Sequence, residues 1–227
     1  MTALPPEPRA IGLRIRRMRP SDVPAVHALA RACFAHLPSS RDMTEAHVQR
    51  FPEGQLVAEQ DGRIVGSASS LLLPYARVLR PHTWWRITGG GHITTHDPLG
   101  DVLYGTEMMV DPKARGQGIA RRLYDARKEL LMSRGLRAFA AGGCIPGYAD
   151  HADRFTAEEY VAQVVAGRLT DPTLTPQLRA GLQVAGVLED YLWDPGSLDY
   201  ATLLLWRNPF WPGTPVSPVA ADAARLA

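Results

Sequence analysis

Between Val110 and Tyr124 the chain reads Val-Asp-Pro-Lys-Ala-Arg-Gly-Gln-Gly-Ile-Ala-Arg-Arg-Leu-Tyr. This stretch predicts a strand, a tight turn and a helix in direct succession. Apolar residues at 102–104 and 108–110 indicate the strand, and Asp111-Pro112 starts the turn. Beyond two glycines, apolar residues at helical spacing mark one face of the helix: Ile119, Leu123, Ala126 and Leu130.

The turn also predicts an anion site. Gly116 and Gly118 let the backbone turn tightly and approach a ligand. The free N–H groups of the first helical turn and the helix dipole attract negative charge. Arg115, Arg121 and Arg122 add positive charge, so we expect a pyrophosphate or another dense anion here. The alternative is a plain strand-to-helix turn whose basic residues only aid solubility.

Other phosphate loops fit this stretch less well. A P-loop requires Gly-x-x-x-x-Gly-Lys-Ser/Thr, which the sequence does not contain. A dinucleotide-binding turn requires a third glycine where this chain has Arg121. Neither class of nucleotide site is therefore expected.

At these residues the chain resembles the GNAT superfamily of acyl-CoA-dependent N-acyltransferases, whose pattern is Gln/Arg-x-x-Gly-x-Gly/Ala. We match it to Lys113-Ala-Arg-Gly116-Gln-Gly118, where Lys113 keeps a donor and a positive charge. In the family this loop binds the pyrophosphate of coenzyme A, and the preceding strand pairs its backbone with the pantetheine arm. The resemblance implies coenzyme A contacts from Met108, Met109, Val110, Lys113, Arg115, Gly116, Gln117, Gly118, Ile119, Ala120 and Arg121.

The resemblance extends beyond the loop. Residues 13–22 resemble the first strand and the start of the first helix of the family, residues 55–73 its second and third strands, and residues 201–207 its last strand. Residues 51–209 also resemble acetyltransferase modules that some bacterial proteins join to a nitrilase-like carbon–nitrogen hydrolase. We expect no hydrolase module in this chain.

The resemblance implies an α/β (α+β) fold with a GNAT-like mixed, mostly antiparallel central sheet flanked by helices. We expect a single acyltransferase domain over residues 11–210, a flexible N-terminus over 1–10 and a Pro/Ala-rich tail over 211–227. After the fifth strand, residues 142–171 form an extra helical insertion. Local signals predict helix starts at Asp42, Thr156 and Thr175, and a strand from Val184 to Tyr191.

Composition excludes several other classes of protein. The 227 residues are 45% hydrophobic and 21% charged, which is typical of a soluble globular protein. A net charge of +2 is too mild to favour nucleic acid, and no apolar run is long enough to cross a membrane. Because the N-terminus lacks an apolar signal core, we expect a cytoplasmic protein. Cys33 and Cys144 are expected to be reduced thiols, and no metal-ligand spacing occurs.

Acyl transfer from a thioester to an amine requires a base, donors for the oxyanion and an acid for the thiolate. The resemblance makes the backbone N–H of Met109 the oxyanion donor. Glu107, in an otherwise apolar strand, is the candidate base, although a rim or salt-bridged carboxylate is an equal reading. Tyr104 on the same strand is the alternative, acting through water.

The candidate acid is less well defined. The family often places a Tyr in the helix after the fifth strand, and Gln177 occupies that position here. Tyr148, directly after the fifth strand, is the nearest substitute, although a packing role is more common for such a Tyr. Cys144 as a nucleophile lacks a recognised His partner. Trp84, Trp85, His92 and His96 are candidates for lining an acceptor pocket. The equal alternative is that the tryptophans cover the sheet edge and the histidines are solvated loop residues.

These features favour an N-acetyltransferase that moves acetyl from acetyl-CoA to a primary amine of a small molecule or peptide by direct attack. The alternative is a non-catalytic acyl-CoA-binding sensor or scaffold. A nucleic-acid binder is not favoured because basic and aromatic residues do not interleave. The acceptor, the acyl chain length, homodimer formation and cooperation with a separate hydrolase stay open.

Overall fold

The computed structural model describes residues 12–33 and 40–212. The predictions for residues 1–10 and 213–227 fall outside these residues. The described strands are β1 Arg14–Arg17, β2 Leu56–Gln60, β3 Arg63–Leu73, β4 Val102–Val110, β5 Ala138–Cys144, β6 Gln183–Leu188 and β7 Ala201–Arg207. The described α-helices are α1 Val23–Cys33, α2 Arg41–Arg50, α3 Tyr75–Val78, α4 Trp84–Thr88, α5 Ile119–Ser133, α6 Ala157–Val165 and α7 Leu174–Arg179.

The seven strands form one sheet in the order β1-β2-β3-β4-β5-β7-β6. All neighbours are antiparallel except β4 and β5, which run parallel. The parallel pair requires a crossover, and α5 supplies it. The predicted mixed, mostly antiparallel sheet flanked by helices is confirmed.

Each face of the sheet is covered by helices whose apolar stripe faces it. On one face α1 packs Val26 and Leu29 against Met109 of β4. On the other face α5 packs Ile119 and Leu123 against β2 and β3. The i, i+4 spacing places both α5 side chains on one face of the helix, which explains why this stretch folds as predicted. No helix of the described residues is long and apolar enough to cross a bilayer.

Helix starts are only partly as predicted. Thr156 and Glu159 form the expected capping box of α6, which confirms the helical insertion. The prediction at Asp42 is wrong, because Ser40 caps α2 by accepting from the Met43 N–H. The prediction at Thr175 is also wrong, because α7 already starts at Leu174. In both cases an earlier polar residue satisfies the free N–H groups first: Ser40 at α2, and before α7 Asp171, whose Oδ1 accepts from the N–H groups of Thr173 and Leu174.

The strand near the C-terminal end also differs from prediction. β6 ends at Leu188 rather than Tyr191. Residues 189–200 form a loop that packs on the 75–101 segment, where the Trp84 N–H donates to the Tyr191 carbonyl over 2.7 Å. Tyr191 is thereby carried to the middle of the sheet.

Candidate functional site

The turn before α5 has the geometry of an anion site. Gly118 is the helix N-cap with φ 76°, and Gly116 has φ 75°, conformations that side-chain-bearing residues rarely adopt. The N–H groups of residues 119–121 therefore lack helical acceptors. Arg115, Gly116 and Arg121 are exposed, so the turn is open to an incoming ligand.

The structure favours a different alignment of the family pattern in this turn. With Gly118 as N-cap, Gln/Arg-x-x-Gly-x-Gly/Ala fits Arg115-Gly-Gln-Gly118-Ile-Ala120, two residues later than the alignment from sequence. Arg115 then fills the first position without a substitution. Lys113 lies earlier, in a 3-10 turn where its N–H donates to Asp111 Oδ1 over 2.9 Å.

Strands β4 and β5 separate in the middle of the sheet, and we call this opening the fork. Their pairing runs from Val102–Ala138 to Gly105–Ala141 and stops there. β4 continues against β3 to Val110, and β5 continues against β7 to Cys144. The fork thus leaves two facing strand edges, and β4 leads directly from it to the anion turn.

A β-bulge sets the geometry of β4 at the fork. Ser69 pairs with Glu107 but Ser70 pairs with Gly105, so Thr106 is an extra residue. The buried Arg127 of α5 holds the bulge, since its Nη2 donates to the carbonyls of Ser69 and Glu107 at 2.6 Å each. Burial lowers the pKa of Arg127 to about 10, which leaves a buried cation at neutral pH.

The prediction that Met109 donates its N–H to an oxyanion is wrong on register. The Asp111 N–H donates to the Val65 carbonyl over 2.9 Å, and Met109 pairs with Ser67. Alternate residues of an antiparallel strand turn their N–H groups to the same side, so Met109 faces β3. The N–H groups of Met108 and Val110 face away from β3, and the Val110 carbonyl accepts from Cys33 Sγ.

Glu107 lies at the fork beside a histidine that sequence reasoning missed. Ser69 Oγ donates to Glu107 Oε1 over 3.2 Å, and the Glu107 side chain is partly exposed. His47 Nε2 donates to the Gly91 carbonyl over 2.7 Å, which leaves Nδ1 as a buried acceptor without a partner. Burial lowers the pKa of His47, and the charge of Glu107 opposes this shift.

Tyr104 is fully buried at the point where the fork opens. Its hydroxyl contacts His82 Nε2 at 2.9 Å and the Tyr191 hydroxyl at 3.1 Å. Neither partner was predicted from sequence. Tyr191 lies 87 residues after Tyr104 in the sequence, and a local sequence pattern cannot predict a contact over that separation.

Tyr148 lies in the insertion and is packed there. Its hydroxyl donates to the Phe155 carbonyl over 3.2 Å, and its ring meets those of Tyr160 and Tyr200. It also lines an open cavity of about 540 Å³ between the insertion and residues 189 and 200. These contacts favour a packing role, and the prediction of a catalytic Tyr148 stays a prediction.

Other predicted residues have structural partners. His96 Nδ1 accepts the Leu72 N–H over 3.0 Å, and its ring stacks on Phe51. Trp84 Nε1 donates to the Thr106 carbonyl over 2.9 Å and so contacts the fork. Burial raises the pKa of Cys144 to about 12, so its thiolate is scarce and a nucleophilic role is disfavoured.

Buried polar atoms without a partner gather at the fork. Gln177, at the position of the family Tyr, lies over Gly143 on β5, where an added Cβ would be 2.6 Å from its Nε2. Four of the eight such side-chain atoms in the described residues belong to His47 (Nδ1), Thr106 (Oγ1), Arg127 (Nε) and Gln177 (Oε1). Because folded proteins normally satisfy buried polar atoms, these four atoms call for a partner that the protein itself does not supply, such as an ordered water or a ligand.

Comparison with known proteins agrees with this geometry. The family model of the acetyltransferase (GNAT) family matches residues 23–156. The uncharacterized N-acetyltransferase YkwB of Bacillus subtilis strain 168 is 35% identical over 204 residues, covering 88% of this chain and 90% of YkwB. The probable hydrolase YhcX of the same organism is 41% identical over 196 residues, which are 86% of this chain but 38% of YhcX.

Solved structures share the fold. The loading GNATL domain of CurA from Lyngbya majuscula superposes with a TM-score of 0.77 at 20% identity, covering 86% of this chain and 97% of that domain. The GphF GNAT-like decarboxylase, in complex with isobutyryl-CoA, superposes with a TM-score of 0.72 at 24% identity, covering 86% of this chain and 98% of that protein.

Proposed function

Because this chain belongs to the GNAT acetyltransferase family, we propose that it transfers acetyl from acetyl-CoA to a primary amine of a small molecule or peptide. The observation that carries the proposal is the position of two features on one strand. β4 runs from the fork, where its pairing with β5 ends, to an open anion turn at the start of α5. A thioester and a pyrophosphate joined by an extended arm match that arrangement.

In this proposal the pyrophosphate of coenzyme A binds the N–H groups of residues 119–121. Arg115 and Arg121 add charge, and Gly116, Gln117 and Gly118 form the turn itself. The pantetheine arm follows the open edge of Met108–Val110. The thioester then lies at the fork, near the bulge at Thr106.

The chemistry follows from the groups at the fork. Glu107 accepts a proton from the ammonium form of the substrate, and the free amine attacks the thioester carbonyl. The Met108 N–H, which faces away from β3, stabilises the oxyanion. The C–S bond then breaks, the amide forms, and the coenzyme A thiolate takes up the remaining proton.

Decarboxylation of a carboxyacyl-CoA is the second candidate reaction. The observation that favours it is the match of the whole domain to the GphF decarboxylase, at a TM-score of 0.72. A carboxylate next to the thioester would leave as CO₂, and the enolate that remains would need the same oxyanion donors. The buried Arg127 at the bulge supplies positive potential for that charge.

One set of assays separates these functions. The protein is incubated with acetyl-CoA and a panel of primary amines and peptides, and free thiol and acylated product are measured. A second reaction with malonyl-CoA measures CO₂ release. Acylated amine supports the proposed function, CO₂ release without amine transfer supports the second candidate, and calorimetric binding of acetyl-CoA without either product supports a non-catalytic sensor or scaffold.

A further inference from the structure

Three side chains form a hydrogen-bonded chain at the point where the fork opens. Tyr191 lies on Gly142, the first residue of β5 beyond the last β4–β5 pair. An added Cβ on Gly142 would overlap Cζ of Tyr191, so only glycine leaves room for this ring. The Tyr191 hydroxyl meets the Tyr104 hydroxyl at 3.1 Å, and Tyr104 meets His82 Nε2 at 2.9 Å.

The direction of each hydrogen bond among these three side chains follows from the contact that His82 makes with Arg80. His82 Nδ1 lies 2.7 Å from the Arg80 carbonyl, which can only accept, so Nδ1 carries the proton. Nε2 is then the acceptor, and Tyr104 donates to it. Since the proton of Tyr104 is used, Tyr191 donates to Tyr104. The oxygen of Tyr191 therefore accepts no hydrogen bond from Tyr104.

Burial keeps both phenols protonated and His82 neutral. Tyr104 and Tyr191 are at most 1% exposed, and burial raises the pKa of each far above its ordinary value. Burial and the charge of Arg77 lower the pKa of His82. The titratable groups that face His82 are Arg77 on α3, Tyr104 on β4 and Tyr191. The charge of Cys144 on β5 further raises the pKa of the two phenols.

We propose that Tyr191, Tyr104 and His82 form a proton relay that moves a proton from the attacking nitrogen to the leaving sulfur. The inference rests on the proposed acyl transfer and fills a role that Gln177 cannot take, because an amide is not an acid. In this relay Tyr191 is the member next to the reacting atoms, because its ring lies on Gly142 just beyond the last β4–β5 pair, and the other two act through it.

The steps balance. In the tetrahedral intermediate the nitrogen bears an extra proton, which passes to the Tyr191 oxygen. Tyr191 passes its own proton to Tyr104, and Tyr104 passes its proton to His82 Nε2. When the C–S bond breaks, the chain runs in reverse, and Tyr191 donates to the thiolate. The net change is one proton moved from nitrogen to sulfur, and all three side chains regain their starting state.

The test compares two buried tyrosines that receive the same substitution. Tyr191→Phe should lower kcat by roughly tens to thousands of times, as for loss of a general acid or base, with acetyl-CoA affinity unchanged. Tyr160→Phe is the matched control, because Tyr160 is also fully buried but donates to Asp171 in the insertion. It should lower the melting temperature and keep kcat.

The pH profile provides a readout that a structural role would not change. His82 must be neutral to accept a proton, so wild-type kcat should fall as the pH drops through a pKa below the ordinary value near 6.5. His82→Gln should remove that limb and lower kcat. Turnover with an unchanged kcat and pH profile in folded Tyr191→Phe would overturn the relay alone. Absence of acylated amine from wild type would overturn the proposed function and the relay with it.

Discussion

The fork and the insertion differ in whether their buried polar groups have hydrogen-bond partners. In the insertion the Asp171 carboxylate, 2% exposed, accepts four hydrogen bonds. One oxygen binds the Gly147 N–H and the Tyr160 hydroxyl at 3.0 and 2.9 Å, and the other binds the N–H groups of Thr173 and Leu174 at 2.8 and 2.7 Å. At the fork, four buried polar atoms have no partner at all.

This difference separates a structural network from a binding site. A network in which every polar group has a partner makes its segment rigid and leaves no free donor or acceptor for a ligand. Each buried polar atom without a partner costs roughly 1–3 kcal/mol, so several in one region need a compensating partner, which an ordered water or a ligand can supply. The fork is therefore where we place the thioester, and the insertion is where we expect stability.

The largest effect is expected from Gly118→Asp. The φ of 76° disfavours a side chain, and a carboxylate would oppose the pyrophosphate. Coenzyme A affinity measured by calorimetry should fall beyond detection. Gly135→Asp is the matched control, since Gly135 has φ 61° in open space at the other end of α5. Unchanged affinity in a folded Gly118→Asp protein would remove the site from this turn.

Asp171→Ala should have the next largest effect, on stability. It leaves four donors without an acceptor and should lower the free energy of unfolding by about 3 kcal/mol. Chemical denaturation measures the change, with the exposed Asp153→Ala as control. Below its melting temperature the variant should bind coenzyme A normally. A loss of coenzyme A affinity in the folded variant would show that the two regions are not separate.

Glu107→Gln should lower turnover by about a hundredfold, as for loss of a general base, with acetyl-CoA affinity nearly unchanged. The side chain keeps its size and its contact with Ser69 Oγ. Glu45→Gln, in an exposed i,i+4 pair with Arg41, is the control. Steady-state kinetics that match wild type would assign the first proton transfer to water.

Tyr148→Phe should have the smallest effect. Only the 3.2 Å hydrogen bond to the Phe155 carbonyl is lost, so stability should fall by about 1 kcal/mol and turnover by less than about twofold. Thermal unfolding and kinetics on the same preparation test both values. If turnover fell more than tenfold at unchanged stability, Tyr148 would be the thiolate's acid and the insertion would belong to the site.

Much of the fold could be predicted because its signals are local. The capping box of α6 lies within four residues, so its two hydrogen bonds depend on neighbouring residues and not on tertiary contacts. The start of α2 was missed by two positions because Ser40 and Asp42 are both good caps. Which of them serves depends on the face that the helix buries, and this is a tertiary property.

The candidate site was predictable only in part for the same reason. Glu107 and Tyr104 stand out as polar residues in an apolar strand. The error at Met109 arose because an N–H changes side with every residue, and a strand read alone does not show which side its neighbour occupies. His47, His82 and Tyr191 carried no signal, since each reaches the fork from another element.

The sequence by itself determined the turn before α5, because glycine at positive φ and a helical apolar stripe are properties of adjacent residues. Only the tertiary structure decided the fork, since parallel pairing that ends at Gly105–Ala141 depends on β3 and β7 holding the two strands apart. The tertiary structure also decided that Tyr104 lies within hydrogen-bond distance of both Tyr191 and His82. Packing brings such residues together over long sequence distances, and a linear pattern records only near neighbours.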